Sequence, residues 1–353
     1  MKILVIALSG IGDALMFTPT LDKIVAEFPD AQIDVLAMFK GVQDIFEKLP
    51  NVSNVHYNDF IKNPKMQSLS FVLKLRKKYD VSINVYPSNR KEYNLISWLI
   101  GAKKRLAAKY IRKDFSNLGF LNNVRIPEND LQHNVETNFK LFEKFSNNKK
   151  IEIPALKIVL ENEDIEFAKN FLVEKNITEN DLVIGFHPGC ATLKNHSNRR
   201  WAVEKFAELG KKLIDEQNAK ILLFGGGEEE ILKQNIFSQI NSANAILVNA
   251  ATLISSAAIM KRCNLFITND SSLMHISSAL KLNVIPLIGP TNIHYIHPWQ
   301  TNYCVASINL DCSPCFFYSP KPLICNREDM KFKCIKELSV DYVYQIAKDM
   351  LGK

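Results

Sequence analysis

No run of about 18 apolar residues occurs in this chain, so it offers no helix that would span a bilayer. Its apolar start, Lys2 to Leu8, is short, and Asp13 follows without a small-residue cleavage site, unlike a secretory signal. Low-complexity segments and repeats of about 20 to 50 residues are lacking too, which excludes solenoids and disordered tails. Asp-x-Asp is absent, and with it the paired carboxylates that hold a divalent ion between diphosphate oxygens. The first loop also lacks the spacing G-x-G-x-x-G, which argues against a nicotinamide-dependent oxidoreductase. Seven cysteines, an odd number clustered late in a long chain, do not form a secreted disulfide framework. These absences together predict a cytoplasmic protein.

What is present is an α/β pattern. With 353 residues, 47% of them apolar, the chain is long enough for two cores. Apolar, β-branched runs at 33–37, 81–85, 182–186, 219–224, 245–248, 265–268 and 284–288 alternate with helical patterns, which predicts parallel sheets covered on both faces. The polar stretch 146–153 before Pro154 marks a linker, so the expected division is 1–155 and 156–335. The helical run over 336–353 is expected to pack back on the first domain. All of the net charge of +7 sits in 1–155, and it is steepest between 60 and 125, where 15 Lys and Arg face 3 Asp and Glu. That segment reads either as a solvated basic face or as a site for an anionic partner: a phosphorylated or acidic glycolipid, or membrane headgroups. Nucleic acid is not expected, because no binding motif accompanies the charge.

Chemistry concentrates where strands end. The first strand runs into Ser9-Gly10-Ile11-Gly12-Asp13, which places a carboxylate at its exit. In the second half, ligands of a doubly wound sheet would meet three loops. One reads His187-Pro188-Gly189 and continues through Lys194 to Arg199-Arg200-Trp201, supplying cations. Another, Gly225-Gly226-Gly227, lets backbone approach a ligand, with Glu228 or Glu229 to accept hydrogen bonds from ribose hydroxyls; the run is also a plain tight turn. The third, Asn269-Asp270-Ser271-Ser272-Leu273, opens a helix whose N-H groups would seat a diphosphate, with His275 one turn on as a ligand-side or a structural residue. Finally, Cys312, Cys315, Cys325 and Cys334 are spaced either for a structural zinc or iron or as reduced thiols.

In this order and spacing, the motifs Ser9 to Asp13, His187-Pro188-Gly189, Arg200-Trp201 with Phe206-Ala207-Glu208-Leu209, Gly225-Gly226 and Asp270 to His275 resemble glycosyltransferase family 9, the ADP-heptose:lipopolysaccharide heptosyltransferases, over nearly the whole chain. The resemblance implies an α/β GT-B architecture of two facing Rossmann-like domains with a cleft between them. It also implies inverting sugar transfer that needs no metal or other cofactor, from an ADP-heptose donor held by the C-terminal domain. Asp13 matches the family's proposed base, and Asp270, Ser271, Ser272, Leu273 and His275 match its donor-binding segment. The family's lysine before the tryptophan is Arg199 here, with Lys194 as the alternative, and its Thr-Gly after the aspartate is Ser271-Ser272. The expected acceptor is an anionic glycolipid core met by Gly12 and the basic run Lys103, Lys104, Arg105, which implies peripheral contact with the inner membrane face. Transfer to a protein acceptor, or a nucleotide-binding module without turnover, are the alternative readings.

Overall fold

A computed structural model of the chain describes residues 1–146, 152–317 and 322–352, so most of the expected linker lies outside the described residues. It divides into two compact units, the first made of 1–159 with 294–296 and the second of 160–293, 297–317 and 322–352. The division falls four residues after the expected one, where the first helix of the second unit is about to start.

The first unit holds strands β1 (Lys2–Ala7), β2 (Gln32–Ala37), β3 (Asn54–Tyr57), β4 (Val81–Asn84), β5 (Lys104–Lys109) and β6 (Val124–Pro127) in the order β3-β2-β1-β4-β5-β6, every pair parallel. Its helices are α1 (Ile11–Leu15), α2 (Thr18–Glu27), α3 (Lys40–Glu47), α4 (Lys65–Lys74), α5 (Lys91–Ile100) and α6 (Asn134–Phe142). Side chains alternate across a strand, and both faces of β1 are apolar, so each needs its own helical cover. Ile3 and Val5 pack with Phe17 of the loop before α2, Phe46 of α3 and Phe139 of α6. Leu4 and Ile6 pack with Val72 of α4 and Ile96 of α5. Right-handed crossovers demand this division: strands added in one direction from β1 put their helices on one face, and those added in the other put theirs on the opposite face.

The second unit repeats the plan with β7 (Val183–His187), β8 (Lys220–Leu223), β9 (Ala245–Leu247), β10 (Leu265–Asn269) and β11 (Asn283–Leu287) in the order β11-β10-β7-β8-β9, again all parallel. Its helices include α7 (Asn162–Glu174), α8 (Val203–Gln217), α9 (Glu230–Ile240), α10 (Leu253–Met260) and α11 (Ser272–Ala279). Later in the chain come the short α12 (Ile293–Ile296) and α13 (Lys333–Lys336), then α14 (Val340–Met350). In each unit the strand order reverses beside the first strand, between β1 and β4 and between β7 and β10, and the loops leaving those strands diverge there.

The last helix corrects an expectation. Rather than returning to the first unit, α14 packs on α8 within the second, with Val343 and Ala347 fully buried in that unit's core. Tyr344 donates to Glu216 at 2.6 Å and Lys212 lies 4.6 Å above the Tyr344 ring. An amphipathic stripe requires a partner but does not name one; here the match is the outward row of α8. Trp201 anchors the approach to α14: it is 1% exposed, its indole N-H donates to the Leu338 carbonyl at 2.9 Å, and its ring meets Phe206 edge-on at 5.0 Å. Trp201→Ala should therefore lower the unfolding free energy of the second unit by about 3 to 5 kcal/mol, read by urea titration. A loss under about 1 kcal/mol would show that this anchor is not needed.

Candidate functional site

In the second unit the switch point gathers most of the expected donor residues. β7 ends in His187 and β10 in Asn269, and Asn269 ties the two exits together: its amide donates to the Pro188 carbonyl at 2.7 Å and accepts from the Trp201 N-H at 2.9 Å. Ser271 caps α11 by position, yet its hydroxyl makes no cap hydrogen bond; it lies 2.8 Å from His187 Nδ1 and 3.1 Å from the Thr268 hydroxyl. The first N-H groups of any helix lack intrahelical partners, so the start of α11, at Ser272 and Leu273, keeps its donors and its positive dipole end without a side-chain cap.

His187 is 2% exposed and both ring nitrogens are engaged by protein, which makes it a bridge rather than a donor contact. Nε2 lies 3.0 Å from Glu229 Oε2, and since a carboxylate only accepts, the ring proton sits there. Burial would raise the Glu229 carboxyl pKa, but attraction and hydrogen bonding from His187, with help from Arg200, hold it below its ordinary value. Two glycines make room for this carboxylate. A Cβ at Gly189 would fall 1.8 Å from Glu229 Oε1, and one at Gly225, whose φ of 136° already favours glycine, would fall 3.0 Å from Oε2. Gly226 faces open space and has no such requirement. Of the two expected ribose acceptors, Glu229 is the one built into the fold, while the exposed Glu228 accepts from the Thr192 hydroxyl at 3.2 Å.

Arg199 takes a different place from the one expected. Its guanidinium, 6% exposed, pairs with Asp270 and lies 5.3 Å over the Phe316 ring, while Thr291 donates to the same Asp270 oxygen at 2.6 Å. It is the counter-charge of Asp270. Lys194 stands in the left-handed region at φ 58°, and its carbonyl accepts from the Leu323 N-H at 2.9 Å. The cation whose charge reaches the glutamate is Arg200, which the sequence offered only as one of the loop's cations, without a role of its own. It donates to the Cys190 carbonyl at 2.8 Å, it helps keep Glu229 ionised, and its Nε is buried with no hydrogen-bond partner among the described residues. The signal was local: with Trp201 committed to the core, the residue beside it at the loop's end was available to the site.

In the first unit, Asp13 sits half-buried in the first turn of α1 and accepts from the Gly10 N-H at 3.1 Å, while Gly12 is buried. The Ser9 hydroxyl donates to the Pro87 carbonyl, joining the exits of β1 and β4. Burial, and Asp13 nearby, push the Tyr93 hydroxyl up to about 12, while Arg90, 5.5 Å over the Tyr93 ring, pulls the other way. Arg90 and Asp13 thus act on Tyr93 in opposite directions. Lys103, Lys104 and Arg105 stand at the opening end of β5, where Lys103 pairs with Asp80 at 3.0 Å and Arg105 donates to the Leu121 and Ala102 carbonyls. Asp13 follows the other end of the six-residue β1, about 20 Å along the sheet. Spacing along the chain reveals basic residues but not which end of a strand they occupy.

The late cysteines carry two readings, a metal seat and reduced thiols. All are free, and among the described residues no three His, Cys, Asp or Glu side chains are grouped to hold an ion. Burial first, then the neighbouring Cys315, Cys325 and Cys312, push the Cys334 thiol up to about 11. Cys325 Sγ accepts instead from the Phe332 N-H at 3.2 Å.

Residues 69–321 match the family model described as glycosyltransferase family 9 (heptosyltransferase). Lipooligosaccharide heptosyltransferase 2 of Campylobacter jejuni serotype O:2 is 27% identical over 99% of this chain and 98% of its own. Lipopolysaccharide heptosyltransferase 2 of Escherichia coli K12 is 26% identical over 84% and 85%. Among solved structures, E. coli ADP-heptose LPS heptosyltransferase II superposes with a TM-score of 0.75 at 20% identity, covering 99% of this chain and 98% of that one, which shows the GT-B fold.

His275 makes the site's acid limit measurable. It is 4% exposed with Nδ1 buried and unpartnered among the described residues, and burial, only partly opposed by Asp270, lowers its pKa from 6.5 to about 4. Above pH 6.5 neither the folded nor the unfolded ring holds the extra proton. Below it the unfolded chain protonates first, so stability should fall as pH drops from 6.5 toward 4, by up to about 1.4 kcal/mol per pH unit. Urea unfolding at several pH values should show this slope, and His275→Gln should flatten it; equal slopes in both proteins would place the titration elsewhere.

Proposed function

The chain belongs to glycosyltransferase family 9 and is a glycosyltransferase, and on that premise we propose that it transfers a heptose from ADP-heptose to a sugar hydroxyl of a lipopolysaccharide or lipooligosaccharide core, with inversion and without a metal. The observation that carries the reading is the uncapped start of α11: Ser271 turns its hydroxyl to His187 and leaves the helix donors for a diphosphate. Glu229, held ionised beside His187, accepts from the ribose, and Arg200 supplies the cation. The curated relatives named as heptosyltransferases support the choice of sugar and acceptor.

The chemistry is one displacement. The acceptor hydroxyl oxygen attacks the anomeric carbon while the bond from that carbon to the β-phosphate oxygen breaks, its electron pair leaving on ADP. Asp13 takes the hydroxyl proton as the new bond forms, and Arg90 meets negative charge on the acceptor. Charge growing on the departing diphosphate is stabilised by Arg200 and the N-terminus of α11, donors fixed in place before the reaction. A zinc or iron on the late cysteines has no part in these steps. With a lipid-borne acceptor and a nucleotide-sugar donor from the cytoplasm, the enzyme would work at the inner face of the cytoplasmic membrane. Incubation with ADP-heptose and core acceptor, followed by mass spectrometry and anomeric NMR, tests the reading; no heptosylated product would overturn it.

Asp13→Asn should lower turnover by about 10² to 10⁴ with ADP affinity by calorimetry unchanged. Retention of more than about a tenth of wild-type turnover would move the base elsewhere. Arg200→Gln should weaken ADP binding by about 1.5 to 3 kcal/mol, or roughly ten- to a hundredfold. Arg199→Gln should act instead on the fold, costing about 3 to 5 kcal/mol by stranding Asp270. Normal ADP affinity in Arg200→Gln, with a loss in a fully stable Arg199→Gln, would reverse the two roles.

A further inference from the structure

We propose that the outward face of α4 and α5 is a membrane-docking surface that seats the first unit in the headgroup layer of an anionic lipid bilayer. On α4, Met66, Leu69 and Leu73 are 77%, 39% and 42% exposed. At about 100° per residue they fall within an arc of about 60°, a continuous apolar row facing outward. The inward side of the same helix is satisfied separately, since Val72 and, just past its end, Leu75 pack against the sheet. On α5, Leu95 and Trp98 are likewise 42% and 49% exposed, while Ile96 and Ile100 are buried. Both helices cover one face of the sheet and pack against each other, so the two rows are neighbours. The turn Gly119–Leu121 packs on α5 and carries Phe120, 49% exposed, whose ring lies 5.3 Å from that of Phe115, itself 80% exposed.

Apolar rows of this size on an enzyme surface mark a binding face, and the charge around them identifies what is bound. Lys62, Lys65, Lys74 and Lys91 are exposed at its margin, and none forms an ion pair among the described residues. The acid on this pair of helices is Glu92 alone. A second copy of the chain meeting this face by two-fold symmetry would set one basic rim against another. An anionic bilayer answers both features, taking the apolar side chains and the indole at its interface and the lysines at its surface. The +12 segment therefore acts along a whole face rather than at the catalytic carboxylate. The docking does not rest on the proposed function.

The test is co-sedimentation of the full chain with vesicles of phosphatidylcholine, with and without about a third phosphatidylglycerol, and with no acceptor present. Anionic vesicles should bind the wild type at least about tenfold better. Leu69→Gln with Leu73→Gln, and separately Lys65→Glu with Lys74→Glu, should each weaken binding more than tenfold, since a basic residue at such a surface is worth about fivefold. Both pairs are exposed, and an unchanged circular dichroism spectrum and urea unfolding midpoint would show that each variant is folded. Equal binding to neutral vesicles, no binding at all, or variants that bind like the wild type would overturn the proposal. Lipid-free dimerisation by sedimentation equilibrium that the same variants abolish would also overturn it, assigning the face to self-association. Because no turnover is read, vesicle binding without heptose transfer would uphold the docking and overturn only the proposed function.

Discussion

A parallel strand buried on both faces can show polar chemistry only at its ends, and this constraint decides where every functional group of the chain stands. β1, β7 and β10 are apolar along most of their length, and β4 alternates the apolar Val81 and Ile83 with the buried Ser82 and Asn84. The polar residues of the two sites stand at the exits: Ser9 and Asp13, Ser88 and Arg90, His187, and Asn269 with Asp270. Where the strand order reverses, two exits diverge without a helix between them, and these are the places at which backbone and side chains converge on a ligand.

At the second of these places the electrostatics are divided among residues with separate partners. Asp270 is neutralised from within by Arg199 and Thr291, so the loop after β10 keeps its shape without a ligand. His187 spans two loops, holding Glu229 ionised on one side and drawing Ser271 off the helix start on the other. Gly189 and Gly225 are required because the carboxylate lies against their Cα atoms. Together they leave at this exit an uncapped helix N-terminus, the Glu229 carboxylate on His187 and the Arg200 guanidinium on the Cys190 carbonyl.

The first unit shows how one sheet supports two unlike surfaces. The helices α2, α3 and α6 bury their apolar stripes in the core, as do α4 and α5, but the latter two carry a second apolar row that nothing in the unit covers. Their amphipathicity is thus doubled, inward for folding and outward for a partner. The same segment holds the chain's excess positive charge, and folding disperses that charge along the margin of a face instead of focusing it on Asp13.

Much of this was legible in the chain itself. Alternating apolar runs determined the two α/β units, because strands buried on both faces cannot be encoded any other way, and Asp13, His187 and Asp270 were readable as strand exits from the Gly, Pro and Asn-Asp-Ser signals beside them. Three things depended on the tertiary structure. Which end of β5 the basic run Lys103 to Arg105 occupies follows from register, which a one-dimensional charge count does not carry. That Arg199 is taken up as the partner of Asp270 follows from a pairing between residues 71 apart in the chain. The partner of α14 followed from which apolar stripe lay open beside it. Local sequence fixes periodicity and turn chemistry, whereas the choice among equivalent charges and stripes is made by contacts between residues far apart in the chain.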